Sequence, residues 1–121
     1  MEKDKRTHAI IGAAMEVHNV LGPGRLEPVY HESLEIEFEM RGLPFVSKPK
    51  TDIYYKGRKL KKYYVPDFIV FKEVVVEIKA QSALGKADEA QTINSLKCCK
   101  KKVGLLINFG KASLEWKRFV N

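Results

Sequence analysis

The sequence predicts an α/β fold in which helices flank a small mixed β-sheet. Three observations lead to this prediction: amphipathic helical stretches near the start, short runs of β-branched residues in the middle, and a strand, a helix and a strand in succession near the end. The 121 residues, 45% of them hydrophobic, match one ordinary domain with a real core. We therefore expect residues 1–121 to form a single domain.

Two helices are predicted at the start of the chain. Apolar residues recur at helical spacing up to position 21, and Gly22-Pro23-Gly24 ends the pattern, which predicts a helix over 5–21. A second apolar stripe ends at Gly42 and predicts a helix over 27–41. This second helix carries five glutamates against one arginine, and we interpret it as a solvated acidic face.

The middle of the chain first predicts an extended segment and a hairpin. Residues 43–50 read as extended, and 51–55 and 60–65 read as two strands. The dipeptide Lys56-Gly57 between the two strands is a turn signal. An antiparallel hairpin follows directly.

A second hairpin comes next. The polar pair Lys72-Glu73 lies between two apolar runs, which predicts a tight turn. Antiparallel counting from that turn pairs Phe68 with Glu77 and brings Asp67 to within about one residue of Glu77 or Ile78.

The last third of the chain predicts a crossover unit. Residues 87–101, with Ala90, Ile93, Leu96 and Lys97 at helical spacing, suggest an amphipathic helix, and residues 103–109 read as a buried strand. A strand, a helix and a strand favour parallel pairing with a right-handed connection. Residues 114–120 alternate like a final edge strand.

The charge distribution points to a polyanionic partner. Lys and Arg number 22 against 15 for Asp and Glu, which leaves a net charge of +7. Basic residues interleaved with tyrosines crowd the first hairpin, where phosphate binding and a merely solvated surface are equally open interpretations. The predicted nucleic-acid contacts are Lys56, Arg58, Lys59, Lys61 and Lys62.

Several classes of protein are not favoured. Cys98 and Cys99 are adjacent, a spacing that seldom permits a disulfide, and we expect reduced thiols. The three histidines are scattered without metal-ligand spacing, so we interpret them as ordinary helix residues. The charged start is followed by no long apolar run, and we expect a cytoplasmic protein without a membrane span.

An apolar run over 74–80 carries two charges, Glu77 and Lys79, on the same side of a predicted strand. Glu77 and Asp67 held close together repel each other, and a hard divalent cation such as Mg²⁺ relieves that repulsion. Lys79 beside them would orient or help deprotonate a water, or stabilise charge on a phosphate. The alternatives are a self-compensating Glu77–Lys79 pair and a solvated strand face.

These residues also carry a resemblance. Pro66-Asp67, nine further residues and Glu77-Ile78-Lys79 resemble the signature of the PD-(D/E)XK nuclease superfamily. The segment GRLEPVY at 24–30 resembles the motif of the GxxExxY family within it, and the segments EIKA, EAQTINSLK and VGLLINFG also match. The resemblance implies a restriction-endonuclease-like core and phosphodiester cleavage that depends on Mg²⁺ or Mn²⁺.

The resemblance also implies roles for further residues. Glu27 would join Asp67 and Glu77 as a metal ligand, although a first-turn glutamate is also favoured by the helix dipole alone. Gln91 would assist at the metal water or a phosphate, and Tyr30 would bond a site carboxylate or belong to the core. Ser95 departs from the family pattern, which usually has an aromatic residue there.

Our leading sequence-based hypothesis is a metal-dependent nuclease whose catalytic set is Asp67, Glu77, Lys79, Glu27 and Gln91. The alternative is a non-catalytic nucleic-acid-binding or protein-interaction module on the same fold. We expect DNA more than RNA as the partner, and a homodimer is plausible because a domain this small offers limited grip on a duplex.

Overall fold

The computed structural model describes residues 4–121, so the first three residues of the predicted domain lie outside the described part. The helices described are Lys5–Leu21 (α1), Glu27–Arg41 (α2) and Lys86–Cys99 (α3). The strands described are Phe45–Ser47 (β1), Thr51–Tyr55 (β2), Arg58–Tyr64 (β3), Phe68–Val70 (β4), Val74–Lys79 (β5), Val103–Asn108 (β6) and Glu115–Val120 (β7).

Five strands form a mixed sheet in the order β1-β4-β5-β6-β7, and β2 and β3 form a separate two-stranded hairpin. Strands β5 and β6 run parallel, while every other neighbouring pair is antiparallel. The α/β prediction and the predicted parallel crossover through α3 are both confirmed.

The sheet separates two hydrophobic clusters. On one face, α1 and α2 pack over β5 and β6, where Val76, Ile78 and Leu105 are fully buried. On the other face, Val75 packs with Leu96 of α3. The alternation along β5 therefore directs Glu77 and Lys79 to the α3 side, which confirms the prediction that the two charges share one side of the strand.

Both N-terminal helices have their predicted limits, and local chemistry accounts for them. The Asp4 carboxylate accepts hydrogen bonds from the backbone N–H groups of Arg6 and Thr7, which caps α1. Gly42 ends α2 in the left-handed region, with φ of 70°.

The predicted pairing of Phe68 with Glu77 is wrong by one residue. Phe68 lies opposite Val76, and Val70 opposite Val74, so the turn contains three residues rather than two. Phe71 and Lys72 both adopt positive φ in this turn. The shift places Asp67 next to Glu77 at the head of the strand pair.

The predicted apolar face of α3 is also partly wrong. Ala90 and Ile93 are exposed, whereas Thr92, Ser95 and Leu96 are buried. Only the C-terminal half of the helix covers the apolar cluster. Among the described residues, no helix has both the length and the apolar character that crossing a membrane requires.

Candidate functional site

A cleft of about 180 Å³ opens at the carboxyl end of β5. It gathers side chains from α2, from the end of β3 and the segment that leads from it to β4, from β5 and from α3. The lining residues are Glu27, Tyr64, Val65, Asp67, Glu77, Ile78, Lys79 and Gln91. All five residues of the predicted catalytic set therefore line one cleft.

The Asp67 and Glu77 carboxylates each accept a hydrogen bond from the backbone of the other residue's segment. The backbone N–H of Asp67 donates to Glu77 Oε1 at 2.8 Å, and the backbone N–H of Ile78 donates to Asp67 Oδ2 at 2.8 Å. These reciprocal bonds replace the strand pairing that would otherwise continue beyond Phe68. Because each carboxylate binds the backbone beside the other, both are held at the same end of the β4–β5 pair.

Glu77 is the most deeply buried acid of the site, with only 6% of its surface exposed. Burial raises the pKa of Glu77, and hydrogen bonds from the Tyr64 hydroxyl and the Asp67 amide oppose that rise. The Tyr64 hydroxyl donates to Glu77 Oε2, while burial and this bond raise the pKa of Tyr64 well above its usual range.

Glu27 enters the cleft from the first turn of α2. Partial burial raises the pKa of Glu27, the nearby Asp67 charge raises it further, and the positive charges of Lys79 and Lys48 lower it. Because the Glu27 carboxyl interacts electrostatically with both Asp67 and Lys79, it belongs to the same site as they do, and its role is not limited to the favourable interaction with the helix dipole.

Lys79 is held toward the cleft by α3. Its ammonium donates to Gln91 Oε1 at 3.0 Å and lies 3.9 Å from an Asp88 carboxylate oxygen. Asp88 in turn accepts bonds from the Gly85 N–H and the Gln81 side chain at the start of α3. The loop after β5 thus orients the lysine that β5 carries.

The same loop is fastened to the neighbouring strand. The Asn108 side chain accepts from the Gln81 N–H at 3.0 Å and donates to the Gln81 carbonyl at 2.9 Å. Asn108 is fully buried at the end of β6, directly beside Lys79 in the parallel register. Its side-chain amide makes the pair of hydrogen bonds that a neighbouring strand would make, and so holds the loop against the sheet.

Two residues near the cleft are missed by the sequence interpretation. In the sequence, Tyr64 is one of several hairpin tyrosines, and only the tertiary contact with Glu77 sets it apart. His31 is not an ordinary helix residue, since its Nδ1 lies 3.9 Å from Asp67 Oδ1 and its Nε2 lies 2.8 Å from Ser47 Oγ. Burial lowers the pKa of His31. A useful sequence signal is present, because His31 lies one helical turn beyond Glu27.

Tyr30 and Ser95 both lie in the interior of the protein. Tyr30 belongs to the core: it is fully buried, stacks on Phe109 and donates to the Gly22 carbonyl. Ser95 is fully buried beside Glu77 and Tyr64, so position 95 faces the interior behind these two residues and not the surface.

The basic hairpin stands at the surface, next to α3. All five predicted nucleic-acid contacts on β3 and its turn are exposed. Lys59 pairs with Asp52 at 3.5 Å, and Lys56 lies 5.4 Å from the ring centre of Tyr55. Because Tyr64 ends β3, the hairpin leads directly into the cleft.

The donor chemistry of the cleft fits a hard cation. Carboxylate oxygens are the ligands that Mg²⁺ and Mn²⁺ prefer, and Mg²⁺ commonly takes only one or two of them together with waters and phosphates. Across residues 4–121, no group of three or more His, Cys, Asp or Glu side chains forms a complete metal-binding set. The fit therefore rests on the Asp67 and Glu77 pair, with Glu27 at the rim.

A family model described as the PD-(D/E)XK nuclease superfamily matches residues 4–119. Among solved structures, the chain is similar to the crystal structure of SSO0001, with a TM-score of 0.55 and 15% identity over 95% of this chain and 77% of that chain. This similarity concerns the fold alone.

A second structure is an alkaline exonuclease (LHK-Exo) from Laribacter hongkongensis, with a TM-score of 0.41 and 11% identity over 98% of this chain and 82% of that chain. No curated protein matches the chain.

Proposed function

Because this chain belongs to the PD-(D/E)XK nuclease superfamily, we propose that it is a divalent-metal-dependent nuclease that hydrolyses phosphodiester bonds. We expect its substrate to be DNA more than RNA. One observation carries this proposal. The cleft brings Asp67, Glu77 and Lys79 together with Glu27 and Gln91, although these residues come from four separate segments.

Asp67 and Glu77 would hold Mg²⁺ or Mn²⁺, with Glu27 as a further oxygen donor. Each carboxylate oxygen has two lone pairs, so the bonds that Asp67 and Glu77 already accept leave acceptor positions free. When bound, the ion supplies Lewis acidity and lowers the pKa of a coordinated water.

Lys79 contributes a fixed positive charge beside the carboxylates. Because Gln91 and Asp88 hold its ammonium, the lysine is oriented before substrate arrives, and preorganised charge of this kind stabilises the negative charge that develops on a phosphate. The same ammonium positions a water for in-line attack. Gln91 acts through Lys79 and presents its amide at the mouth of the cleft.

The β2–β3 hairpin would bind the phosphodiester backbone. Its lysines and Arg58 neutralise phosphates without reading sequence, and the exposed rings of Tyr54 and Tyr55 offer surfaces for sugars or bases. Substrate held there lies along the strand that ends at the cleft.

We also propose that the chain belongs to the GxxExxY group, because each residue of its motif has a physical role. Gly24 has φ of 93°, a conformation that favours glycine. Glu27 enters the cleft, and the Tyr30 hydroxyl accepts from the Arg25 N–H and donates to the Gly22 carbonyl, which fixes the turn.

Calorimetry with Mg²⁺ and Mn²⁺ tests the proposed function on the wild type and on Asp67→Asn/Glu77→Gln, followed by incubation with mixed DNA and RNA. We expect metal binding and cleavage in the wild type and neither in the double variant. Glu16→Gln/Glu39→Gln removes the same charge from exposed helix positions and should retain both. A wild type that binds nucleic acid equally well with chelator, and never cleaves it, would instead be the non-catalytic binding module.

A further inference from the structure

We propose that Tyr64, assisted by Ser95, is a positioning residue that holds the Glu77 carboxylate in the orientation that binds the metal ion. This inference rests on the proposed function, since it concerns the same cleft. It assigns a role to a hairpin residue that lies outside the superfamily signature segments identified in the sequence.

The first observation is the way in which Glu77 is held. One oxygen accepts from the Tyr64 hydroxyl and the other from the Asp67 amide at 2.8 Å. Two donors on opposite oxygens fix the plane of a carboxylate, whereas one donor would let it rotate. The remaining lone pairs then point in fixed directions toward the cleft.

The second observation is that Tyr64 is itself immobilised. Its backbone pairs with Thr51 in the β2–β3 hairpin, and its ring packs against the cluster of Val75, Leu96 and Cys99. The hydroxyl is therefore presented from a rigid ring. Support of this kind around a metal ligand sets the orientation of the ligand and its affinity for the ion.

The third observation is Ser95. Its hydroxyl is the one buried side-chain polar atom of residues 4–121 that has no hydrogen-bond partner. It lies close enough to Glu77 and Tyr64 to lower the pKa of each, yet makes no bond of normal geometry to either. A buried hydroxyl without a partner is costly, and here it is a third donor available to Glu77, after the Tyr64 hydroxyl and the Asp67 amide.

The matched pair Tyr64→Phe and Tyr63→Phe tests this inference. Both variants lose one hydroxyl at neighbouring positions of the same strand, but the Tyr63 ring is exposed and contacts Lys50 instead of the cleft. Binding of Mn²⁺ to chelator-treated protein is measured by calorimetry, and free Mn²⁺ by electron paramagnetic resonance.

Tyr64→Phe should weaken Mn²⁺ binding by about 10-fold or more, the range found when a group supporting a metal ligand is removed. Tyr63→Phe should bind Mn²⁺ like the wild type. The circular dichroism spectrum and the affinity for nucleic acid in chelator should be unchanged in both variants. If the Tyr64 hydroxyl had only a structural role, its loss would change the circular dichroism spectrum or the nucleic-acid affinity together with metal binding.

Equal or tighter Mn²⁺ binding by folded Tyr64→Phe would overturn the inference while leaving the proposed function intact. A wild type that binds no Mn²⁺ would overturn both. If Tyr64→Phe does not fold, Ser95→Ala carries the test, because it removes the second hydroxyl beside Glu77. Severalfold weaker Mn²⁺ binding by Ser95→Ala supports the inference, and unchanged binding overturns it.

Discussion

The central strands β5 and β6 and the β2–β3 hairpin beside the sheet place their charged side chains in opposite surroundings. Almost every side chain of β5 and β6 is buried, whereas most side chains of β3 face water. Both regions carry charge, but Glu77 on β5 has a donor on each oxygen, while the hairpin cations are largely solvated.

This difference shows where geometry matters and where charge alone is sufficient. A buried carboxylate is expensive unless its hydrogen bonds are satisfied, so the structure around Glu77 must be rigid. Phosphate contacts at a surface need only positive charge within reach and gain from side-chain freedom. We therefore expect substitutions at the centre to change stability and substitutions in the hairpin to change binding.

The largest expected effect separates two leucines. Leu105→Ala, at a fully buried position of β6, should lower the free energy of unfolding by about 2–5 kcal/mol. Leu60→Ala, at a position of β3 that is 40% exposed, should change it by no more than about 0.5 kcal/mol. Urea denaturation monitored by circular dichroism measures both. Similar losses would show that the hairpin is as much a part of the core as the central strands.

The next effect concerns the loop after β5. Gly110→Ala would place a Cβ against the Gln81 backbone, which cannot move because Asn108 clamps it. We expect a loss of about 2–3 kcal/mol in the free energy of unfolding. Gly12→Ala, in the middle of α1, is the control. The new Cβ would meet only the end of the Arg41 side chain of α2, so this variant should stabilise the protein by about 0.5–1 kcal/mol. A harmless Gly110→Ala would mean that this loop is not held rigidly.

A smaller effect should appear in binding and not in stability. Lys61→Gln/Lys62→Gln should weaken nucleic-acid binding in chelator and reduce the salt dependence, log K against log salt, by about 0.7–0.9 for each phosphate that is no longer neutralised. Lys5→Gln/Lys72→Gln removes equal charge at exposed positions of the α1 start and the β4–β5 turn. Fluorescence anisotropy at several salt concentrations measures the slopes. Equal slopes in the two variants would move the binding surface away from the hairpin.

The smallest effect tests the hairpin turn. Lys56 and Gly57 both have positive φ, at 48° and 77°, a geometry in which Asn-Gly is preferred. Lys56→Asn should stabilise the hairpin by about 0.5 kcal/mol, measured as slower hydrogen exchange of the β3 amides. Lys56→Gln removes the same charge without the turn preference and should not slow exchange. Faster exchange in Lys56→Asn would contradict the turn assignment.

Much of the fold could be predicted because its signals are local. Glycines and apolar spacing mark the limits of α1 and α2, and the strand, helix and strand order predicts parallel pairing of β5 with β6. The site set could be proposed from the spacing of Asp67, Glu77 and Lys79 together with the resemblance. Their gathering in one cleft agrees with that proposal, while their roles stay predictions until metal binding and cleavage are measured.

The errors arise where several local choices have similar energy. A two-residue and a three-residue turn both suit the segment between β4 and β5, and the left-handed Phe71 and Lys72 that decide the register have no sequence marker. The predicted buried face of α3 is misplaced because Thr92 and Ser95 are polar and lie where Ala90 and Ile93 are expected.

By itself, the sequence determined the class of fold, the limits of α1 and α2 and the placement of a carboxylate and a lysine on one strand face, since alternation and capping depend on neighbouring residues. Only the tertiary structure decided that Tyr64 bonds Glu77, that His31 approaches Asp67 and that Asn108 clamps the loop after β5. These contacts join residues far apart in sequence. Their energies depend on register and burial, which are properties of the packed chain as a whole.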